Sequence, residues 1–255
     1  MMEYFKFKQP LIEGKILSRT SQFIMMCEVE NEEVRCHCPT TGRIGDFDNI
    51  NRPCLLSVAD DEDRKTKYTV EAISLNRIDD KNKKWIGINQ TAVNRYIEFF
   101  LKHNMMKKMI NTENIDVLRE QKFGNSRLDF LVGNTYLEVK TPLHFIDLEI
   151  PSYIKKKQHS PLTSTDRFVK HICELKDSLK THQRAIELNV FIYDAPHFRI
   201  KQEYHSKDFD KVNVAVQSAL KKGLELWQTN LELKPEGVYL KEYFPFDKDW
   251  LKKNI

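Results

Sequence analysis

The sequence Arg127-Leu128-Asp129-Phe130-Leu131-Val132-Gly133-Asn134-Thr135-Tyr136-Leu137-Glu138-Val139-Lys140 alternates in character on both sides of Gly133-Asn134. That is the pattern of two antiparallel strands joined by a two-residue turn. With this turn, Val132 pairs with Thr135 and Phe130 with Leu137. Asp129 then falls across from Glu138, and Arg127 across from Lys140. Strand side chains alternate faces, so Arg127, Asp129, Glu138 and Lys140 share one face. Leu128, Phe130, Val132, Leu137 and Val139 share the other, which reads as a core face. Opposed carboxylates place their Cβ atoms about 4.5–5.5 Å apart, an unfavourable pairing unless something intervenes. A divalent cation is one remedy; a shared proton, or the flanking Lys140 and Arg127, are others. Mg²⁺ takes one or two carboxylates and keeps several waters, which suits an Asp plus a Glu. Lys140 points to the same place, where it can orient a water or neutralise charge on a phosphate. Asp followed by Glu-x-Lys across a hairpin is thus a compact apparatus for metal-assisted attack on a phosphodiester. The same pattern also suits a solvated face with diagonal salt bridges, Arg127 to Glu138 and Asp129 to Lys140.

Working outward, residues 94–110 carry Ile97, Phe100, Leu101, Met105 and Ile110 on a helical stripe. Glu98 on that helix is a candidate third carboxylate for the metal, and Asn94 and Arg95 at its start are placed to bind phosphate. Residues 115–123 read as a strand. Residues 166–179 read as a helix capped by Ser164 or Thr165, with Phe168, Ile172, Leu175 and Leu179 on one stripe. Arg167 and His171 share its opposite face, and with Lys170 they are expected to line the cleft of Glu138 and Lys140. A short strand at 190–193, a helix at 211–222 stopped by Gly223 and a strand starting at 224 complete an α/β or α+β mixed sheet. The segment 143–164, with Lys155, Lys156 and Lys157, is either a mobile phosphate-touching loop or a solvated insertion. The first 80 residues carry short strands near 23–29, 33–38, 55–58 and 68–75, separated by polar turns, and suggest a small barrel. The charged stretch 79–84 reads as a linker, dividing a barrel domain at 1–84 from a second domain at 85–255.

The chain has 255 residues, 40% hydrophobic and 31% charged, which makes it globular rather than disordered or fibrous. It contains no run of 18 uncharged apolar residues, so no membrane span is expected. Five scattered cysteines and no signal-peptide pattern point to a reducing, cytoplasmic setting. Net charge is +4, made of −1 over residues 1–85 and +5 over 86–255, so the second part is the better nucleic-acid surface. Cys36-His37-Cys38 lacks a second ligand pair at zinc spacing. Tyr4, Phe5, Phe7 and Phe23 suit either base stacking or a core.

Several stretches together resemble the sugar fermentation stimulation protein (SfsA) family. Ser126-Arg127-Leu128-Asp129-Phe130 with Leu137-Glu138-Val139-Lys140 resembles its nuclease-like core. His37-Cys38-Pro39-Thr40-Thr41-Gly42-Arg43 is similar to a His-x-Pro-Asn-Thr-Gly-Arg signature, with Thr40 where Asn is usual. Arg64-Lys65 before Tyr68-Thr69 and Glu71, then residues 85–89 and Asn94-Arg95, follow in order, with a departure at Gln90. Thr165-Asp166-Arg167-Phe168-Val169-Lys170-His171 resembles a helix start in which Phe168 replaces Gly. The resemblance spans about residues 12–230. It implies an OB-like barrel followed by a restriction-endonuclease-like domain of the PD-(D/E)xK type, a mixed sheet flanked by helices. It implies largely sequence-nonspecific binding of double- or single-stranded DNA, with a role in regulating sugar-metabolism genes. Carried over, Asp129, Glu138 and Lys140 are the catalytic triad; Asp129, Glu138 and Glu98 hold Mg²⁺ or Mn²⁺. Read from the residues themselves, Arg43, Arg64, Lys65, Arg95, Arg127, Arg167, Lys170 and His171 are the candidate nucleic-acid contacts, Arg43 being equally suited to brace the barrel to the second domain. The expected activity is metal-dependent DNA cleavage, the alternative a non-catalytic DNA-binding or regulatory protein with a vestigial site.

Overall fold

Buried and half-exposed side chains alternate one by one along Ile24–Val29, with Met25, Cys27 and Val29 turned inward. A period of two means a strand with one dry face, and the first third of the chain repeats the device. The computed structural model describes residues 3–40, 42–60, 63–158, 165–199 and 206–246. Thr41 of the signature and Ser164, the alternative helix cap, lie outside the described residues. In chain order come β1 (Phe5–Lys6), β2 (Ile12–Ser21), β3 (Ile24–Val29), β4 (Glu32–His37), β5 (Pro53–Val58), β6 (Tyr68–Ser74), β7 (Trp85–Gly87) and α1 (Val93–Lys102). Then follow β8 (Val117–Phe123), β9 (Ser126–Val132), β10 (Thr135–Lys140), α2 (Asp166–Ser178), β11 (Arg184–Phe191), α3 (Lys207–Leu220), β12 (Glu225–Lys234) and β13 (Gly237–Pro245). No helix among the described residues is long and apolar enough to cross a membrane.

Strands β2 to β6 close on themselves. β2 pairs with β3 and β5, β3 with β4, and β5 with β6. A short parallel contact, Cys36 against Tyr68 and His37 against Thr69, joins β4 to β6 and completes the ring. This is the small OB-like barrel the sequence suggests, filled by Ile16, Met25, Cys27, Cys36, Leu56, Val70 and Ile73. β2 was not legible in the pattern because its register shifts between Ile16 and Ser18 and again between Arg19 and Ser21. Each shift breaks the alternation, and such bulges let one strand curl far enough to serve two partners.

The second sheet runs β1-β13-β12-β11-β10-β9-β8. β10, β11 and β12 are parallel; the other pairs are antiparallel. α1 buries Tyr96, Ile97, Phe100 and Leu101 on one face, against Phe130, Val132, Leu137, Ile186, Leu188 and Val190. α2 and α3 cover the other face with Ile172, Leu175, Val212, Ala215, Val216 and Ala219. Side chains as thoroughly buried as Ile97, Phe100 and Phe130 each contribute about 1.5–3 kcal/mol relative to exposure. The helix expected over 94–110 stops at Lys102, because Asn104 takes a left-handed φ of 51° and turns the chain. Met106, Met109 and Ile110 are still buried, but from turns. The strand expected at 190–193 begins at Arg184, its apolar run masked by Glu187 and Asn189. β13 returns antiparallel along β12, an element the sequence reading lacks.

The segment after Lys140 is neither a free loop nor a solvated insertion as far as residue 158. Leu143, Ile146 and Ile154 are buried in the barrel-side core. Its backbone is sewn to residues 45–48: Gly45 N–H donates to Leu143, Asp48 N–H to Lys155, and Lys157 N–H to Asp46.

β7 pairs with β6 in the barrel sheet, while its Gly87 N–H donates to Ile192 at 2.8 Å, just beyond β11. A Cβ at Gly87 would lie 2.5 Å from Ile192 Cγ2. Gly87→Ala is therefore expected to cost about 1–3 kcal/mol through overpacking at this junction. Urea unfolding should show a lower midpoint; an unchanged midpoint would mean that the junction repacks freely.

Candidate functional site

β9 and β10 pair as expected next to their turn: Val132 with Thr135, Leu131 with Tyr136, Phe130 with Leu137. Gly133 supplies the positive φ, 55°, that the turn needs. Beyond Phe130 the ladder stops, and side chains take over its hydrogen bonds. Asp129 N–H donates to Glu138 Oε2 at 3.3 Å, and Val139 N–H donates to Asp129 Oδ2 at 2.8 Å. The two carboxylates thus sit in the opening between strands rather than as a simple cross-strand pair. Leu128, expected on the core face with Phe130, packs instead with Tyr136, Ile172 and Leu175 in the opposite layer, because β9 is no longer held flat against β10.

The opening is reached from both faces of the sheet. From α1, Asn94 Nδ2 donates to Asp129 Oδ1 at 2.8 Å. From α2, His171 Nδ1 bonds Glu138 Oε1, which also accepts from Lys140 Nζ at 2.6 Å. A carboxylate only accepts, so the His171 Nδ1 carries a hydrogen. Lys140 Nζ lies 3.3 Å from the same ring nitrogen and 5.9 Å from the centre of the Phe168 ring.

This arrangement drives the two acids apart. Burial, and then the Glu138 charge, push the Asp129 carboxyl up, against the hydrogen bonds from Val139 and Asn94. Burial also opposes ionisation of Glu138, but the His171 bond and the Lys140 charge outweigh it and hold this carboxyl below the usual glutamate range. A further acid, Glu187, stands in register with Glu138 on β11, on the same face and 3% exposed. Burial pushes it up to about 7, opposed by Lys140 and a hydrogen bond from Asn189. The sequence reading missed Glu187; its signal was Glu187-Leu188-Asn189 aligned with Glu138-Val139-Lys140.

Of the other sequence candidates, Glu98 is held by Lys102 at 2.7 Å and Arg119 at 3.3 Å. Among the described residues no group of three or more His, Cys, Asp or Glu is gathered as a metal site. Asp129 and Glu138 remain as two hard oxygen donors, the number that a Mg²⁺ or Mn²⁺ site uses when waters supply the rest. Arg43 is spent on its own loop: it pairs with Asp46 at 2.7 Å and donates to the carbonyls of Gly45 and Gln158. Arg64 and Arg95 are exposed and act together on the buried Glu71; Lys65 is exposed nearby in sequence. Arg127, Arg167, Lys170 and His171 line one open cleft of about 480 Å³ with Ser126 and Asp166. Of the aromatics, Tyr4 stacks on Tyr239, Phe5 and Phe7 pack on Tyr96, and Phe23 is exposed. Cys36 and Cys38 are buried, whereas His37 between them is half-buried.

Comparison with known proteins matches two family models in tandem. Residues 17–88 match the SfsA N-terminal OB domain, and residues 91–237 match the sugar fermentation stimulation protein RE domain. A sugar fermentation stimulation protein homolog of Clostridium tetani is 30% identical over 241 residues, 92% of this chain and 96% of that protein. The homolog of Clostridium novyi is 29% identical over 243 residues, 91% and 95% of the two chains. That of Synechococcus sp. strain JA-2-3B'a(2-13) is 27% identical over 240 residues, 92% of each. The fold is that of Pyrococcus furiosus SfsA, solved in complex with Ca²⁺, with a TM-score of 0.71 over 96% of this chain and 98% of that one at 20% identity.

The split between the two acids has a testable sign. Glu138, depressed in the fold, stabilises the protein above the ordinary glutamate pKa, and that stabilisation is lost as pH falls through its folded value. Asp129, raised, does the reverse: its contribution is present in acid and is lost as pH rises from the ordinary aspartate pKa through its folded value. His171→Ala should move the Glu138 titration up, and Glu138→Gln should move that of Asp129 down, both read by carboxyl-carbon NMR. Unmoved titrations would mean that the groups are not coupled.

Proposed function

The chain belongs to the sugar fermentation stimulation protein (SfsA) family, and from that premise we propose that it is a DNA-binding protein whose second domain hydrolyses phosphodiester bonds with Mg²⁺ or Mn²⁺. The observation that carries this reading is the meeting of Asp129, Glu138 and Lys140 where the β9–β10 ladder gives way. Side chains that replace ladder bonds leave carboxylate lone pairs at a sheet opening, with an ammonium beside them. Such a group has no structural need for so much buried charge. Pyrococcus furiosus SfsA, alike in fold, takes Ca²⁺, a hard cation with the oxygen preference of Mg²⁺.

Asp129 and Glu138 would hold the ion. When bound, it supplies Lewis-acid polarisation of a phosphoryl oxygen and lowers the pKa of a water. The chain's own residues do the rest. Lys140 orients the attacking water and balances negative charge on the phosphate. His171 fixes the Glu138 carboxylate and keeps it ionised, while Asn94 fixes Asp129. Arg127, Arg167 and Lys170 take phosphate oxygens along the cleft, a sequence-independent contact, and Arg64, Lys65 and Arg95 extend the basic surface towards the barrel. DNA held this way, without base readout, also suits a regulator of sugar-metabolism genes. The alternative is a non-catalytic DNA-binding protein. In its favour, Glu138 Oε1 is already engaged by both Lys140 and His171, as a structural ion-pair group would be.

The deciding experiment is incubation of supercoiled and linear DNA with Mg²⁺ or Mn²⁺. Nicking or cleavage should appear and be lost by at least about 10²-fold in Glu138→Ala and Lys140→Ala, while filter binding of DNA persists. No cleavage across metals and DNA forms leaves the binding reading. In either case affinity should fall steeply with salt, as phosphate-dominated contacts require.

A further inference from the structure

We propose that the cleft beside Lys140 seats a terminal phosphomonoester of a DNA strand, so that the enzyme works from DNA ends; the inference rests on the phosphodiester-hydrolysis reading above. The cleft begins at His171, the residue bonded to Glu138, and runs to Ser126 at the β8–β9 turn. There Lys170 Nζ donates to the Asn125 carbonyl at 3.3 Å and reaches Glu174 at 4.0 Å, so the turn and α2 are tied together across that end. A backbone continuing past the site would have to run over that tie, whereas a strand that ends there would not.

The charge in the cleft has the same implication. Three cations, Arg127, Arg167 and Lys170, face one carboxylate, Asp166. Counting these four groups, two positive charges are in excess. A phosphodiester carries a single negative charge, whereas a phosphomonoester carries about 1.5–2 at neutral pH and offers three terminal oxygens. The two arginines are also weakly committed. Arg127 reaches Glu120 only at 3.9 Å, with both side chains largely exposed, and Arg167 makes no ion pair among the described residues. At the start of α2, Thr165 is 4% exposed, yet among the described residues its Oγ1 has no hydrogen-bond partner and the helix has no side-chain cap. The first amides of α2 are therefore left with donors to satisfy, and they stand beside Arg167. Two guanidinium forks, an ammonium and these amides make a seat for a dianionic, three-oxygen group.

The test uses the full chain with Ca²⁺ in place of Mg²⁺, so that binding is read without cleavage. Fluorescence anisotropy compares one short duplex bearing a 5′-phosphate, a 3′-phosphate or hydroxyls at both ends. One phosphorylated end should bind about tenfold more tightly than the hydroxyl ends, and which one it is names the polarity. Arg167→Ala and Arg127→Ala, both at exposed positions, should each bring that ratio towards one. Equal affinity for all three duplexes overturns the proposal, as does a preference that survives both substitutions. Cleavage assays in Mg²⁺ keep the two readings apart. Cutting of circular DNA as fast as linear DNA removes the end preference and leaves the nuclease. A phosphate preference without any cutting keeps the seat and removes the nuclease.

Discussion

A pair of hydrogen bonds holds the rest of this molecule's chemistry in place. Where β9 and β10 would continue their ladder, the Asp129 amide turns to the Glu138 carboxylate, and the Val139 amide to the Asp129 carboxylate. Backbone amides must be satisfied when buried, and here acidic side chains satisfy them. The exchange opens the sheet without orphaning its amides. It also puts two carboxylates at a place that helices on both faces can reach, which is why Asn94 and His171, from opposite layers, meet at one site.

The electrostatics follow from that crowding. Asp129, Glu138 and Glu187 are three acids on three adjacent strands, β9, β10 and β11, with a single lysine among them. Lys140 and His171 resolve the conflict in favour of Glu138, and the cost appears as raised pKa values at Asp129 and Glu187. A cation of the kind proposed above would relieve that crowding. The three positions at which the chain departs from its family's pattern also gather here. Phe168 lies beneath the Lys140 ammonium. Thr40 and Gln90 bond each other, hydroxyl to carboxamide oxygen at 2.6 Å.

Much of this was legible in the sequence, for identifiable reasons. The hairpin was readable because Gly133-Asn134 fixes its register, and the register fixes which residues neighbour which. The barrel was readable from strands such as β3 that keep a strict period. β2 was hidden by two bulges, and β11 by Glu187 and Asn189, polar residues within its apolar run. Leu128 changed layers because hydrogen bonds to side chains, invisible to periodicity, ended the ladder one pair early. Glu98 sat on the right helix, but Lys102 and Arg119 hold it. His171 was expected to line the cleft of Glu138 and Lys140 and does so, but its burial against Glu138 was not legible. Helical spacing gives the direction of a side chain and not the depth of what it meets.

The bond between Thr40 and Gln90 does not end there. Gln90 Nε2 goes on to donate to the Thr141 carbonyl at 2.7 Å, one residue past Lys140, and the chain then runs on as the segment stitched to residues 45–48. The barrel's rim is therefore geared to the tip of β10 through a single carboxamide and a few links of backbone. A displacement of the barrel's rim at Thr40 thus has a direct route, through two consecutive side-chain hydrogen bonds, to the lysine's end of β10.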